Sequence, residues 1–121
     1  MLAYLPRKTQ QTLLGKGPLP RLTPTTITSI PRLLDRLAAV RSQGYALSDQ
    51  ETVTGLRVLA APVLDADGVP VAAVSVATPA FTSTLEAFER RVRAPVLDVA
   101  RTLSRAMQAA GGVAASSRAL I

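Results

Sequence analysis

The stretch Leu56-Arg57-Val58-Leu59-Ala60-Ala61-Pro62-Val63-Leu64, followed by Asp65-Ala66-Asp67-Gly68 and then Val69-Pro70-Val71-Ala72-Ala73-Val74-Ser75-Val76-Ala77, decides the fold class. Two runs rich in β-branched residues, joined by a short Asp/Gly loop, read as an antiparallel hairpin. Asp bonds its own backbone in tight turns, and Gly accepts the left-handed positions such turns need. Each run contains a proline, which removes a ladder donor and belongs near an edge, a strand end or a bulge. Just upstream, Tyr45-Ala46-Leu47 is suited to pair alongside as a third, shorter strand.

Helical patterns flank the hairpin. Residues 7–16 make a short amphipathic helix, and three prolines between 18 and 24 keep the following stretch irregular. Ser29 is placed to cap a helix over 31–42, with Pro31 in the first turn and Gly44 as the stop. Leu33, Leu34, Leu37 and Val40 recur at helical spacing there, while Arg32, Asp35, Arg36 and Arg41 take the other side. Ser83 with Glu86 reads as a capping box. From it Leu85, Phe88, Val92, Val96, Val99, Leu103 and Met107 mark one stripe of a long helix, with a kink expected at Pro95 and an end at Gly111-Gly112. The order helix, helix, hairpin, long helix predicts an α+β fold, an antiparallel sheet with packed helices. The domain is expected to span 1–110, with 111–121 as a flexible C-terminal tail.

Composition narrows the chemistry. The 121 residues include no Cys, His or Trp, which excludes disulfides, Cys/His metal sites and any triad built on a His base or a Cys nucleophile. The remaining carboxylates are not paired in a way that suggests acid–base work, so no catalytic residue, metal or cofactor is expected. The formal charge of +6 comes from twelve Arg and two Lys spread along the chain, with only Arg90, Arg91 and Arg93 close together and Glu86 and Glu89 within a turn of them. This distribution speaks against DNA binding by the chain itself. No apolar run reaches the ~18 residues of a spanning helix, and a cytoplasmic location is the expectation.

Five segments in order carry a resemblance. Arg41-Ser42-Gln43-Gly44-Tyr45-Ala46, Asp49-Gln50-Glu51, the Gly55 to Val63 run, Asp65 to Gly68, and Val71 to Ala77 resemble the C-terminal effector-binding domain of IclR-type bacterial transcription regulators. The Leu22-Thr23-Pro24-Thr25-Thr26-Ile27-Thr28 crossing and the last long helix are similar as well. Asp49-Gln50-Glu51 and the opening Ala3-Tyr4-Leu5-Pro6 most resemble the branch that senses acids of aromatic catabolism. The resemblance implies a GAF-like fold and a partial effector domain, without the winged helix-turn-helix and the first strands of a complete regulator. It implies a small organic acid as effector, a homo-oligomer, and promoter DNA reached only through a DNA-binding domain absent here.

Carried over by position, the effector-binding residues implied are Ser48, Asp49 and Glu51 in the acidic loop, Val58 on the first hairpin strand, and Ser75 and Ala77 on the second. Relatives often carry a polar residue where Val58 and Ala77 stand. Ser75 is then the only hydroxyl of its patch, which implies either a more apolar ligand, such as an aromatic acid, or a weakened site. A lone Ser on a Val/Ala strand also serves simply to bond a neighbouring carbonyl, and a loop acid to pair with a nearby Arg. Arg57, adjacent to Val58, points to the opposite face and is expected at the surface or an interface. The alternative reading is a stand-alone interaction module with no ligand; a sensor needs a concave site around Ser75, whereas a module would fill that face with Val and Leu. Non-specific nucleic-acid binding through the +6 charge is a third reading.

Overall fold

The computed structural model describes the backbone of residues 1–119 and the side chains of residues 1–111. A 3-10 turn at Leu2–Tyr4 leads into α1 (Arg7–Leu14), and α2 follows at Ile30–Gln43. The sheet strands are β1 (Ala46–Asp49), β2 (Leu56–Leu64) and β3 (Pro70–Pro79), and α3 spans Leu85–Ala119. The three strands pair antiparallel in the order β1-β2-β3, so the fold is α+β with β2 in the centre.

The hairpin forms as its turn residues dictate. The Asp65 carboxylate accepts the Asp67 and Val69 amides at 2.9 Å each, and Gly68 takes a left-handed φ of 75°. Pro62 is tolerated because β1 reaches only as far as Ala60, leaving β2 with a single neighbour at that position. Helix α2 is bounded as expected: Ser29 Oγ accepts the Arg32 amide at 3.4 Å, and Gly44 closes the helix in the left-handed region at φ 90°.

Alternation along β2 sorts the sheet into two faces. Leu59, Ala61 and Val63 are buried on the α3 side, where α3 contributes Phe88, Val96 and Ala100 to the core. Leu59 and Phe88 are fully buried, and burying side chains of this kind stabilises by about 1.5–3 kcal/mol each. Tyr45 enters this layer just ahead of β1, its hydroxyl donating to Glu89 of α3. Leu64 donates its amide to Ser104 Oγ at 2.9 Å, at the point where the β2–β3 register shifts. In contrast, β3 is exposed over most of its length on both faces, including Val71 and Val76.

Helix α3 departs from the sequence reading at both ends. Its first turn is capped by Thr84, whose Oγ1 accepts the Ala87 amide at 3.2 Å, and not by Ser83. Ser83 is extended, and its hydroxyl is buried without a partner. At the other end the helix continues through Gly111-Gly112 to Ala119. Each interior Gly costs about 1 kcal/mol relative to Ala, but the alanines around the pair are the strongest helix formers and carry the helix past it. Pro95 also sits inside the helix without ending it; the Arg91 carbonyl loses its usual donor there. Of the expected tail, residues 120 and 121 lie outside the described residues.

Candidate functional site

The face of the sheet turned away from α3 is built from small residues. The register places Ser48, Val58 and Ala77 in one row across the three strands, with Ala46, Ala60 and Ser75 in the next. Side chains this short do not fill the space beneath α2, and a cavity of about 190 Å³ remains between. Its floor is Ala46, Ser48, Val58 and Ala60; Leu33, Leu37 and Val40 of α2 and Ile27 of the crossing segment close it from above. Glu51 and Arg36 complete the polar part of the lining.

Glu51 reaches this position because the loop before it turns sharply. Gln50 has a φ of 58°, a conformation that costs an L residue of order 1 kcal/mol or more, and surrounding bonds hold it there. Thr23 and Thr25 donate their hydroxyls to the Gln50 carbonyl at 2.5 and 2.8 Å, and Thr26 donates to the Glu51 carbonyl at 2.6 Å. Gln50 itself accepts the Gly55 amide at 3.0 Å through its side chain. The three hydroxyls of the irregular, proline-bounded crossing thus fix the backbone of the acidic loop. Burial raises the Glu51 carboxyl above its ordinary value and the nearby Asp49 charge adds to this, while Arg36 pulls the other way.

The six residues singled out in the sequence are not one constellation. Ser48, Glu51 and Val58 line the cavity, whereas Ser75 and Ala77 share the same face one strand further out, exposed and beyond its walls. The concavity is therefore centred a strand away from Ser75. Asp49 does not join the group. As the neighbour of Ser48 in a strand it faces the α3 side, where it pairs with Arg57 at 2.7 Å.

Arg57 corrects a second expectation. It does lie on the face opposite Val58, but its side chain is only 12% exposed. It joins Asp49 to the Ala80 carbonyl at 3.0 Å and to the Ser83 carbonyl, tying the acidic loop, the end of β3 and the entry to α3 together. Arg36, read from the sequence as lying on the side of α2 opposite its apolar stripe, is exposed and also lines the cavity. The one signal for this is its spacing of three and four residues from Leu33 and Val40, which puts it at the border of their stripe.

A second cavity of about 390 Å³ opens where the hairpin end of β2 meets α3 and the end of α2. Ala61, Pro62, Leu64, Leu97 and Ala100 form its apolar lining, with Arg101 and Arg105 beside them. None of the six residues lines it.

The Arg57 arrangement carries a prediction. Replacing it with Gln strands the Asp49 carboxylate and leaves two carbonyls unpaired, so Arg57→Gln should destabilise the chain by about 2–4 kcal/mol in urea unfolding. A change under about 0.5 kcal/mol would mean that the cluster is not a structural tie.

Residues 1–105 match the family model for the C-terminal region of the bacterial transcriptional regulator IclR. The chain is 36% identical over 107 residues to the HTH-type transcriptional repressor AllR of Klebsiella pneumoniae, a match covering 88% of this chain and 39% of that relative. Among solved structures, the PobR inducer-binding domain from Acinetobacter, a double mutant in complex with 3-hydroxybenzoic acid, superposes with a TM-score of 0.78 at 33% identity, over 85% of this chain and 61% of that one. The C-terminal domain of the E. coli regulator KdgR gives a TM-score of 0.77 at 36% identity, over 88% and 64% of the respective chains. The match therefore spans 39% of the curated relative and 64% of the isolated C-terminal domain of KdgR. The matched residues and the shared fold together place this chain in the IclR family of transcriptional regulators, as part of the C-terminal domain.

Proposed function

We propose that this chain is the sensing domain of an IclR-type transcriptional regulator and that its effector is a small organic acid, carboxylic or aromatic. The observation that carries this reading is the cavity between α2 and the small-residue rows of the sheet. It combines an apolar body with a hydroxyl at Ser48 and charged groups at one end. A dry cavity of ~150 Å³ is enough for a benzene ring, so about 190 Å³ suits a ring or short aliphatic body. The similar PobR domain, solved with 3-hydroxybenzoic acid, supports an acid of this kind. Ser48, Glu51 and Val58 are assigned to the first contacts, with Ser75 and Ala77 extending the same face.

The mechanism is a shift between arrangements of α2 over the sheet. An acid that binds one arrangement better than another favours it by its difference in affinity, and the regulator's hold on its operator follows. Contact with promoter DNA is not assigned to this chain. Its basic groups are dispersed, and several have structural partners: Arg57 in its cluster, Arg36 on the Leu47 carbonyl, and Arg41 over the Tyr4 ring at 5.8 Å. No catalytic step is assigned either, and the reading places the protein in the cytoplasm. Among the described residues no helix is long and apolar enough to cross a membrane.

Self-association through β3 is part of the proposal. Its outer edge runs ten residues, with prolines only at the ends and no charged side chain to deter pairing. A second copy pairing along this edge would also cover Val71 and Val76. Light scattering at micromolar concentration should give a dimer or larger species; a clean monomer would contradict this assignment.

Ligand binding is tested by thermal shift with 3-hydroxybenzoate and pyruvate. At about 100 times its Kd, the preferred acid should stabilise the chain by about 2.7 kcal/mol and raise Tm by several degrees. Ala60→Leu fills the cavity floor and should abolish the rise while leaving the fold intact. No rise with either acid would favour the interaction module, and an equal rise in Ala60→Leu would place the binding site outside this cavity.

A further inference from the structure

The cavity mouth is held by an ion pair between α2 and the acidic loop. Arg36 projects from α2, donates Nη1 to the Leu47 carbonyl at 3.3 Å, and brings Nη2 to 3.6 Å from Glu51 Oε1. Its side chain is 45% exposed, that of Glu51 25%. The contact is a loose one at the limit of an ion pair, without the paired short bonds of a guanidinium–carboxylate fork, and so it is readily exchanged. Both side chains line the cavity, where an incoming carboxylate would find an Arg already positioned.

Glu51 has little freedom to yield by moving its backbone. Thr26 holds its carbonyl, Thr23 and Thr25 hold the carbonyl of Gln50, and Gln50 is locked in the left-handed turn. Only the Glu51 side chain can give way. From these contacts, and resting on the assignment of the cavity above, we propose that Arg36 receives the carboxylate of the effector and that Glu51 is the internal carboxylate it displaces.

The exchange predicts an unusual sign. A charged Glu51 both occupies Arg36 and repels an anionic ligand, so its removal should improve binding of an acid. The charged groups that act on Glu51 are Arg36 from α2 and, from the other face of β1, Asp49, the latter already paired with Arg57. Because burial raises the Glu51 carboxyl, it takes up a proton above the ordinary range for Glu. Affinity for the acid should therefore rise as the pH falls towards that titration and level off above it.

The test is calorimetric titration of the full chain with 3-hydroxybenzoate and with its neutral amide, 3-hydroxybenzamide, using wild type, Arg36→Gln and Glu51→Gln across about pH 5 to pH 8, from just above the ordinary Glu range upward. Arg36→Gln should weaken binding of the acid about tenfold and leave the amide nearly unchanged. Glu51→Gln should tighten the acid by about threefold to tenfold at pH 8 and remove the pH dependence. Circular dichroism on each variant confirms that the fold persists. If both variants bind the acid as wild type does, or if Glu51→Gln binds it more weakly, the exchange is wrong while acid binding by the chain stands. If wild type binds neither compound, the cavity assignment fails and the exchange falls with it.

Discussion

Strand β2 is bonded along both edges over Arg57–Ala60 and meets an α-helix or a cavity on each face, and this double constraint organises the rest of the molecule. Its alternation commits Arg57, Leu59, Ala61 and Val63 to the α3 side and Val58 and Ala60 to the α2 side. A slip of one residue would send the fully buried Leu59 into the cavity and Val58 into the core. The solid core and the open cavity are thus two consequences of one strand. On one side the residues are large enough to meet Phe88 and Val96. On the other, Ala and Ser stop short of α2 and leave room for a guest.

Sequence is informative wherever a few adjacent residues determine the backbone. The Asp65 turn, the Ser29 cap and the Gly44 stop each depend on contacts within four residues, and the structure contains all three. Features that depend on distant chain are harder to see. Spacing alone puts Arg57 on the face opposite Val58, but it does not reveal that the start of α3 covers that face. The acceptors of Arg57, Ala80 and Ser83, lie 23 and 26 positions away. At the start of α3, Ser83 and Thr84 are both capable caps. The extended conformation of Ser83 settles the choice for its neighbour.

The candidate site shows the same division. Period-two alternation is enough to group Ser75 with Ala77 on one face and to part Asp49 from Ser48, whereas it takes the register of the paired strands to add Val58 to that face. It says nothing of where a cavity centres. That depends on which strands α2 overlies, and the cavity beneath α2 is lined by β1 and β2 and not by β3. The threonine-rich crossing offers the clearest example of meaning hidden in an irregular segment. Three hydroxyls there bond carbonyls 24 to 27 residues away and fix the one non-glycine residue of positive φ in the described chain.

We propose that an acid binds at the small-residue face of the sheet beneath α2. Amide shifts followed by two-dimensional NMR during a titration with 3-hydroxybenzoate locate its site. Progressive shifts should centre on Ser48, Glu51, Val58 and Ala60, with α2 responding at Leu33 and Arg36. Shifts centred instead on Leu97, Ala100, Arg101 and Arg105 would move the site to the other cavity and overturn this assignment, as would a spectrum that does not respond.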